Sequence, residues 1–210
     1  MEITWLGHSC FKISGSRVKI ITDPFPPTLG YSLGSPTAQI VTISHPHPSH
    51  SYVEGVTGQF KKISGPGEYE IGDVLITGIA SFHDAEQGKV KGRNTIYLIE
   101  IDDVVVCHLG DLGHGLSAAQ VEEMGNVDVL LLPVGGGATI NATTAAAVVR
   151  QLEPKAVVPM HYKTPVLTQE LDPVDKFLNE IGVKQLSPQP KLMLTKSTIP
   201  LTMQVYLLGY

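Results

Sequence analysis

The chain changes its hydrophobic rhythm about halfway along. Its first half alternates apolar and polar residues in short runs punctuated by Gly, Pro and Ser, the period-two pattern of half-buried strands. This predicts strands at residues 2–6, 10–13 and 17–22, separated by Gly7 and by Ser14-Gly15-Ser16. A Gly/Pro/Ser-rich loop then runs from Asp23 to about Pro36, and further strands are predicted at 39–43, 68–71, 74–80, 95–101 and 104–107. From Ser117 the period lengthens. Helices are predicted at 117–124, 142–152 and 169–181, the last with Leu171, Val174, Phe177, Leu178 and Ile181 on one face. They alternate with buried strands at 127–132 and 156–158, and two final strands are predicted at 191–194 and 203–208. Many strands followed by alternating strands and helices predict sheets packed together with helices outside. No linker, repeat or low-complexity segment interrupts the chain, so residues 1–210 are expected to form one domain.

The strand at 39–43 leads into Ser44-His45-Pro46-His47-Pro48-Ser49-His50, three imidazoles within six residues. Pro46 and Pro48 push the residues before them into extended conformations, where residues two apart point to one side, so His45 and His47 can act as a pincer. His50 is expected to swing to the same point on a first helical turn opened by Ser49, a good capping residue. Imidazole is the commonest protein ligand for zinc and suits other divalent metals. Taken alone, the segment favours metal binding over the plainer reading of a histidine- and proline-rich surface turn. The other unusual polar residues decide between the two. His83 follows the strand at 74–80, Asp111 follows 104–107 across Gly110, and His161 follows 156–158 across Pro159-Met160. Each stands just past the C-terminal end of an apolar strand, and such loops converge on the rim where α/β folds place ligands.

Composition narrows the partners. Hydrophobic residues make up 42% and charged residues 17% of the 210, with 21 Gly and 15 Pro, as in a compact, turn-rich globular protein. The formal charge of −5 and the lack of any Lys/Arg block argue against a nucleic-acid or membrane-binding face. Cys10 and Cys107 lie in apolar, strand-like surroundings without paired spacing and are expected to be buried, reduced packing residues. The N-terminal segment has neither the basic region nor the apolar core of a signal peptide, and no run reaches membrane-spanning length, so a cytoplasmic location is expected.

The order Asp23, His45-x-His47-x-x-His50, His83, Gly110-Asp111 and His161 resembles the metallo-β-lactamase superfamily. The phrases Trp5-Leu6-Gly7-His8, Gly65-Pro66-Gly67-Glu68-Tyr69, Gly110-Asp111-Leu112-Gly113-His114, Pro133-Val134-Gly135-Gly136 and Pro159-Met160-His161-Tyr162-Lys163 resemble its compact branch related to L-ascorbate-6-phosphate lactonase. The resemblance covers nearly the whole chain. It implies an α/β (α+β) fold, a four-layer αββα sandwich of two mixed β-sheets with helices outside and a metal site at one edge. It further implies that His45, His47 and His83 hold a first divalent ion and that His50 and His161 hold a second, with Asp111 bridging. Catalytic work would then fall to Asp111, His50 and His161, in a hydrolase whose metal-bound hydroxide attacks a small ester, lactone or phosphoester. Asp23 is expected behind the ligands, orienting one of them.

Ser49 departs from the family signature, which has Asp there. Serine is not an anion at neutral pH and is a poor ligand for a hard dication, so it too is expected behind the ligands. One ion or two is therefore expected, with zinc foremost and manganese or iron compatible with the carboxylate. The alternative is a latent or non-catalytic metal- or ligand-binding module with a degraded second site.

His8, Lys163 and Gly136 are expected to bind a small-molecule substrate, an anionic one if Lys163 and the Gly135-Gly136-Gly137 amides serve it. His8 is equally readable as a structural histidine. His108 is expected in the core or behind the ligands, and His114 on a glycine-flanked loop able to enter the cleft. The apolar tail Val205-Tyr206-Leu207-Leu208 suits either a core strand or the interface of a homo-oligomer.

Overall fold

The computed structural model describes all 210 residues. The first sheet contains β1 (Glu2–Gly7), β2 (Cys10–Ser14), β3 (Lys19–Thr22), β4 (Ile40–Ile43), β5 (Lys61–Ser64) and β12 (Leu192–Met193), in the order β12-β1-β2-β3-β4-β5. The second contains β6 (Gly67–Ile71), β7 (Val74–Phe82), β8 (Arg93–Ile101), β9 (Val104–His108), β10 (Val129–Pro133), β11 (Ala156–Met160) and β13 (Gln204–Val205), in the order β13-β11-β10-β9-β8-β7-β6. Both sheets mix parallel and antiparallel pairs.

Alternation along the first sheet sorts its side chains into two layers. Ile3, Trp5, Phe11, Ile13, Ile20 and Ile40 join a 45-residue core shared with the second sheet. Their neighbours Cys10, Ile21, Val41 and Ile43 face the other way, into a 10-residue cluster capped by Phe25, Tyr31 and Leu33. That outer cover is a loop with single turns of 3₁₀ helix at Pro27–Leu29 and Val53–Gly55. On the second sheet every residue of β10 and β11 is buried, because α1 (Ala118–Met124), α2 (Ala142–Leu152) and α3 (Val174–Glu180) supply the outer layer. The arrangement is the expected sandwich of two mixed sheets, but its α-helices all lie on the second sheet, and a loop with two 3₁₀ turns stands where the αββα expectation has a helical layer over the first. Cys10 and Cys107 are buried and free, as packing residues should be.

Helix starts follow their caps. Ser117 and Gln120 form a reciprocal capping box on α1, and Asn141 accepts the Thr144 amide at the head of α2. The helix expected over 169–181 is shorter, Val174–Glu180, because Pro173 is held extended and stands as its N-cap. The first-turn helix expected from Ser49 is also absent. A tight turn takes its place, closed by the His50 amide on the His47 carbonyl at 2.9 Å. β5 carries no alternating signal in Lys61-Lys62-Ile63-Ser64, and only Ile63 is buried. β11 runs on through Pro159, which lies beyond the last β13 pair (Val157↔Val205), so its missing N–H leaves no ladder bond broken.

Topology then places the site. β1, β3 and β4 run in one direction in the first sheet, and β7, β9, β10 and β11 share one in the second. The C-terminal strand ends of each sheet therefore lie along one edge.

Candidate metal centre

His8, Asp23 and His83 immediately follow β1, β3 and β7, and His161 immediately follows β11, while the His45–His50 turn leaves β4 and Asp111 stands three residues past β9. The structure brings them together around one atom, Asp111 Oδ2. Imidazole Nε2 atoms approach it at 3.1 Å (His50), 3.4 Å (His161), 3.5 Å (His83) and 3.9 Å (His45). The contact of His50, the shortest of them, lacks the direction of a hydrogen bond, and neither His50 Nε2 nor His45 Nε2 has a hydrogen-bond partner.

Hydrogen bonds behind the imidazoles fix which nitrogen is free. Asp23 Oδ1 accepts the Ser44 amide at 2.7 Å, and its Oδ2 accepts the Ser44 hydroxyl at 2.5 Å and His50 Nδ1 at 3.0 Å. The Ser44 hydroxyl has a single proton, already given to Asp23, so it accepts from His45 Nδ1 at 3.0 Å. One buried carboxylate thus sets Nδ1–H on both His45 and His50 and turns both Nε2 atoms inward. Asp23 lies behind the rings of His45 and His50, on the side away from Asp111. Ser44 was not singled out by sequence reasoning, and its position beside the cluster was the available signal.

Asp111 is held from the other side by Asn94. The Asp111 amide donates to Asn94 Oδ1 at 2.9 Å, while Asn94 Nδ2 donates to Ser81 Oγ at 2.8 Å and to the Leu109 carbonyl at 2.9 Å. Gly110 allows this approach with φ +56. A Cβ there would sit 2.4 Å from Asn94 Oδ1 and 2.5 Å from Ser44 Cβ. Gly113 passes His83 as closely, with a virtual Cβ 2.3 Å from the His83 carbonyl carbon. Asn94 is a second residue the sequence did not reveal, since nothing in Arg93-Asn94-Thr95 distinguishes it from an ordinary strand residue.

Charges follow the geometry. Burial would raise Asp111, but His161 and His50 hold its carboxyl well below the usual range. Burial would likewise raise Asp23, and the His50 hydrogen bond lowers it instead. Burial, then repulsion from His50, depresses His45 to about 4. Burial pulls His50 down too, but Asp111 and Asp23 outweigh it and push it up to about 10.

These residues fit a divalent metal. Five buried imidazole nitrogens lack a partner: His8 Nδ1, His45 Nε2, His50 Nε2, His83 Nδ1 and His161 Nδ1. At about 1–3 kcal/mol apiece, leaving them unsatisfied would cost on the order of a whole domain's stability. Ligand-type atoms of three trios, His45/His83/Asp111, His8/His50/His161 and Asp23/His45/His50, lie within 4.8 Å of one another. Both Asp23 oxygens are already engaged, which leaves the first two trios as candidate ligand sets.

Other expected site residues are placed differently. His47 stands at the rim with its ring 6.0 Å from that of His45, and its Nδ1 meets the Ser49 hydroxyl at 2.6 Å and the Ser49 amide at 3.3 Å. Lys163 donates to the Gln169 carbonyl at 3.0 Å and lies 3.7 Å from Glu170. The Gly136 amide donates to the Ile140 carbonyl, so it is not free for an anion. His108 is fully buried and bonds the Ser9 carbonyl at 2.8 Å. His114 accepts the Phe82 amide at 3.2 Å and does not line the histidine cleft. That cleft, about 480 Å³, is lined by His45, Pro46, His47, His83, Lys91, Gly92, Arg93 and Ala138. Lys91 and Arg93, not Lys163, are the cations at its mouth. A larger hollow of about 780 Å³ among Met1, Lys12, Lys19 and Asp102 contains no histidine.

Two packed mixed sheets with histidines and aspartates gathered at their shared edge define a metallo-β-lactamase fold. The chain belongs to that superfamily: the profile of the beta-lactamase superfamily domain matches residues 2–161. It is 30% identical over 196 residues to a metal-dependent hydrolase of Pyrococcus horikoshii, covering 78% of this chain and 85% of that one. A metal-dependent hydrolase of Methanoculleus marisnigri is 30% identical over 217 residues, with 90% and 94% covered. Among solved structures, a Thermotoga maritima protein provisionally assigned as a Zn-dependent hydrolase of the metallo-β-lactamase superfamily superposes with a TM-score of 0.83 at 40% identity, covering 99% of this chain and 97% of that one.

Proposed function

We propose that this protein is a metal-dependent hydrolase that cleaves an ester, lactone or phosphoester bond in a small, anionic substrate. The observation that carries the reading is the convergence of four imidazole nitrogens on Asp111 Oδ2. His45, His83 and Asp111 would hold one divalent ion, with His47 reaching it from the rim, and His50 and His161 would serve a second. A bound ion supplies Lewis acidity and brings the pKa of water toward neutrality. The chain's own residues prepare the rest. Asp23 and Ser44 fix the tautomers of His45 and His50, and burial keeps His45 neutral. Asp111 stays ionised at the centre. Lys91 and Arg93 draw an anion to the mouth, and a 480 Å³ cleft suits a small molecule. The nitrogen-rich donor set favours zinc over manganese or iron.

The test is turnover of lactone, phosphodiester and thioester panels by the zinc- or manganese-loaded protein, with His45→Ala as control. Activity in the wild type alone supports the reading, and no turnover on any panel sinks it. A second reading, a latent metal-binding module, is favoured by Ser49, whose hydroxyl is engaged with His47. Activity appearing only after Ser49→Asp would establish that alternative.

A further inference from the structure

Ser49 supplies neither a carboxylate nor a free hydroxyl, so the trio His50, His161 and Asp111 has no acidic ligand from the His45–His50 turn. The chain offers another donor on the neighbouring strand end. His8 is 2% exposed, its ring lies 4.3 Å from that of His161 and 4.8 Å from that of His50, and one ligand atom from each of the three falls within a common 4.8 Å. A purely structural histidine at this depth would be expected to have its polar atoms bonded. His8 Nδ1 is bonded to nothing, and neither is His161 Nδ1.

The backbone holds this pair in place. His8 and His161 both adopt left-handed conformations, φ +54 and +52, which cost a non-glycine residue energy and persist where the surroundings over-determine them. The His8 carbonyl accepts the Trp5 indole at 3.0 Å and the His161 amide at 3.1 Å, which ties the end of β1 to the end of β11.

We infer that His8 is a metal ligand, forming with His50 and His161 a three-imidazole set that takes the place of a carboxylate at position 49. The inference rests on the metal-dependent reading above. Three protein ligands suffice for a catalytic zinc site. Neutral imidazoles leave the ion's charge undiminished, and they favour zinc, nickel or copper over manganese.

The test compares wild type, His8→Asn, His8→Asp and a His114→Asn control, each stripped with chelator, titrated with zinc and desalted. Asn tolerates the left-handed backbone and approximates the bulk of the imidazole, and urea midpoints of the stripped proteins verify folding. The expected result is that His8→Asn loses about one zinc per chain or binds its weaker zinc at least ~10-fold less tightly. His8→Asp should recover binding, His114→Asn should match wild type, and the visible band of the cobalt(II) protein should weaken in His8→Asn alone. A readout on the unaltered chain is ¹¹³Cd–¹⁵N coupling to the His8 ring in the cadmium-loaded, ¹⁵N-labelled protein, which keeps the inference testable if the variants fail to fold. Unchanged zinc content and affinity in His8→Asn, or a cadmium-loaded wild type without that coupling, overturns the inference alone. A rise in KM with unchanged zinc binding does the same and makes His8 a substrate contact. A wild type that binds no zinc overturns this inference together with the metal-dependent reading.

Discussion

Asp23 holds His50 by its Nδ1 at 3.0 Å, with both side chains sealed from solvent. The carboxylate bonds the face of the ring turned away from Asp111, so it governs the nitrogen that remains free. Asp23→Asn keeps the shape but can present an amide N–H where His50 needs an acceptor. The expected result is a 10- to 100-fold fall in zinc affinity or turnover, measured by competition with a chromophoric chelator. Ser44→Ala should weaken His45 in the same direction by less, since it removes a hydroxyl and leaves the charge.

Gly110→Ala should damage the centre through the backbone. Its Cβ would meet Asn94 Oδ1 and Ser44 Cβ, in a left-handed conformation that alanine disfavours. A loss of at least about 1–3 kcal/mol is expected in urea unfolding. Alanine at Gly115, where a Cβ meets nothing within 4 Å, should change stability little.

The stripped protein should be most stable near pH 6.5. The folded state refuses His45 the proton that the unfolded chain accepts, holding it near 4. Its contribution, up to about 3 kcal/mol, is complete above pH 6.5 and drains away as pH falls toward 4. His50 has the opposite sign. With its folded value near 10, its contribution is complete below pH 6.5 and is lost as pH rises toward 10. Urea midpoints recorded from pH 4 to 10 should trace a dome, and a flat profile would contradict these environments.

Metal should stabilise the fold by mass action. At zinc 100-fold above its dissociation constant the gain is about 2.7 kcal/mol, which for a chain of this size corresponds to a rise in Tm of about 5–10 °C. Scanning calorimetry with and without chelator measures it directly.

Reversing the mouth charges tests substrate class. Lys91→Glu with Arg93→Glu should raise KM on the order of 10-fold for an anionic substrate and leave a neutral ester of the same bond type unchanged. Equal effects on both substrates would remove the case for an anion.

What the sequence made legible were local patterns. The strands ending at Thr22, Phe82 and Met160 could be read, the last two short by two residues, because Asp23, His83 and His161 follow them directly, and the one ending at Ile43 because His45 follows across Ser44. Helices with a side-chain cap, such as α2 behind Asn141, had their starts written in one residue. Side chains whose role depends on distant partners could not be read. Asn94 matters through Asp111, 17 positions away, and Lys91 becomes a mouth residue only because the β7–β8 connection folds beside His45. Lys163 shows the converse: the last residue of the Pro159–Lys163 phrase, it turns to the Gln169 carbonyl once the chain passes His161.

His8, His45 and His50 hang from the first sheet, while His83, Asp111 and His161 hang from the second. An ion gripped by both would be a removable rivet between the two halves of the sandwich, and one held by His8, His50 and His161 would fasten chain segments more than a hundred residues apart. Contacts of that span form late in folding, so the rivet should slow unfolding far more than it speeds refolding. Protease resistance, and with it the lifetime of the folded chain, would then follow the supply of metal around it.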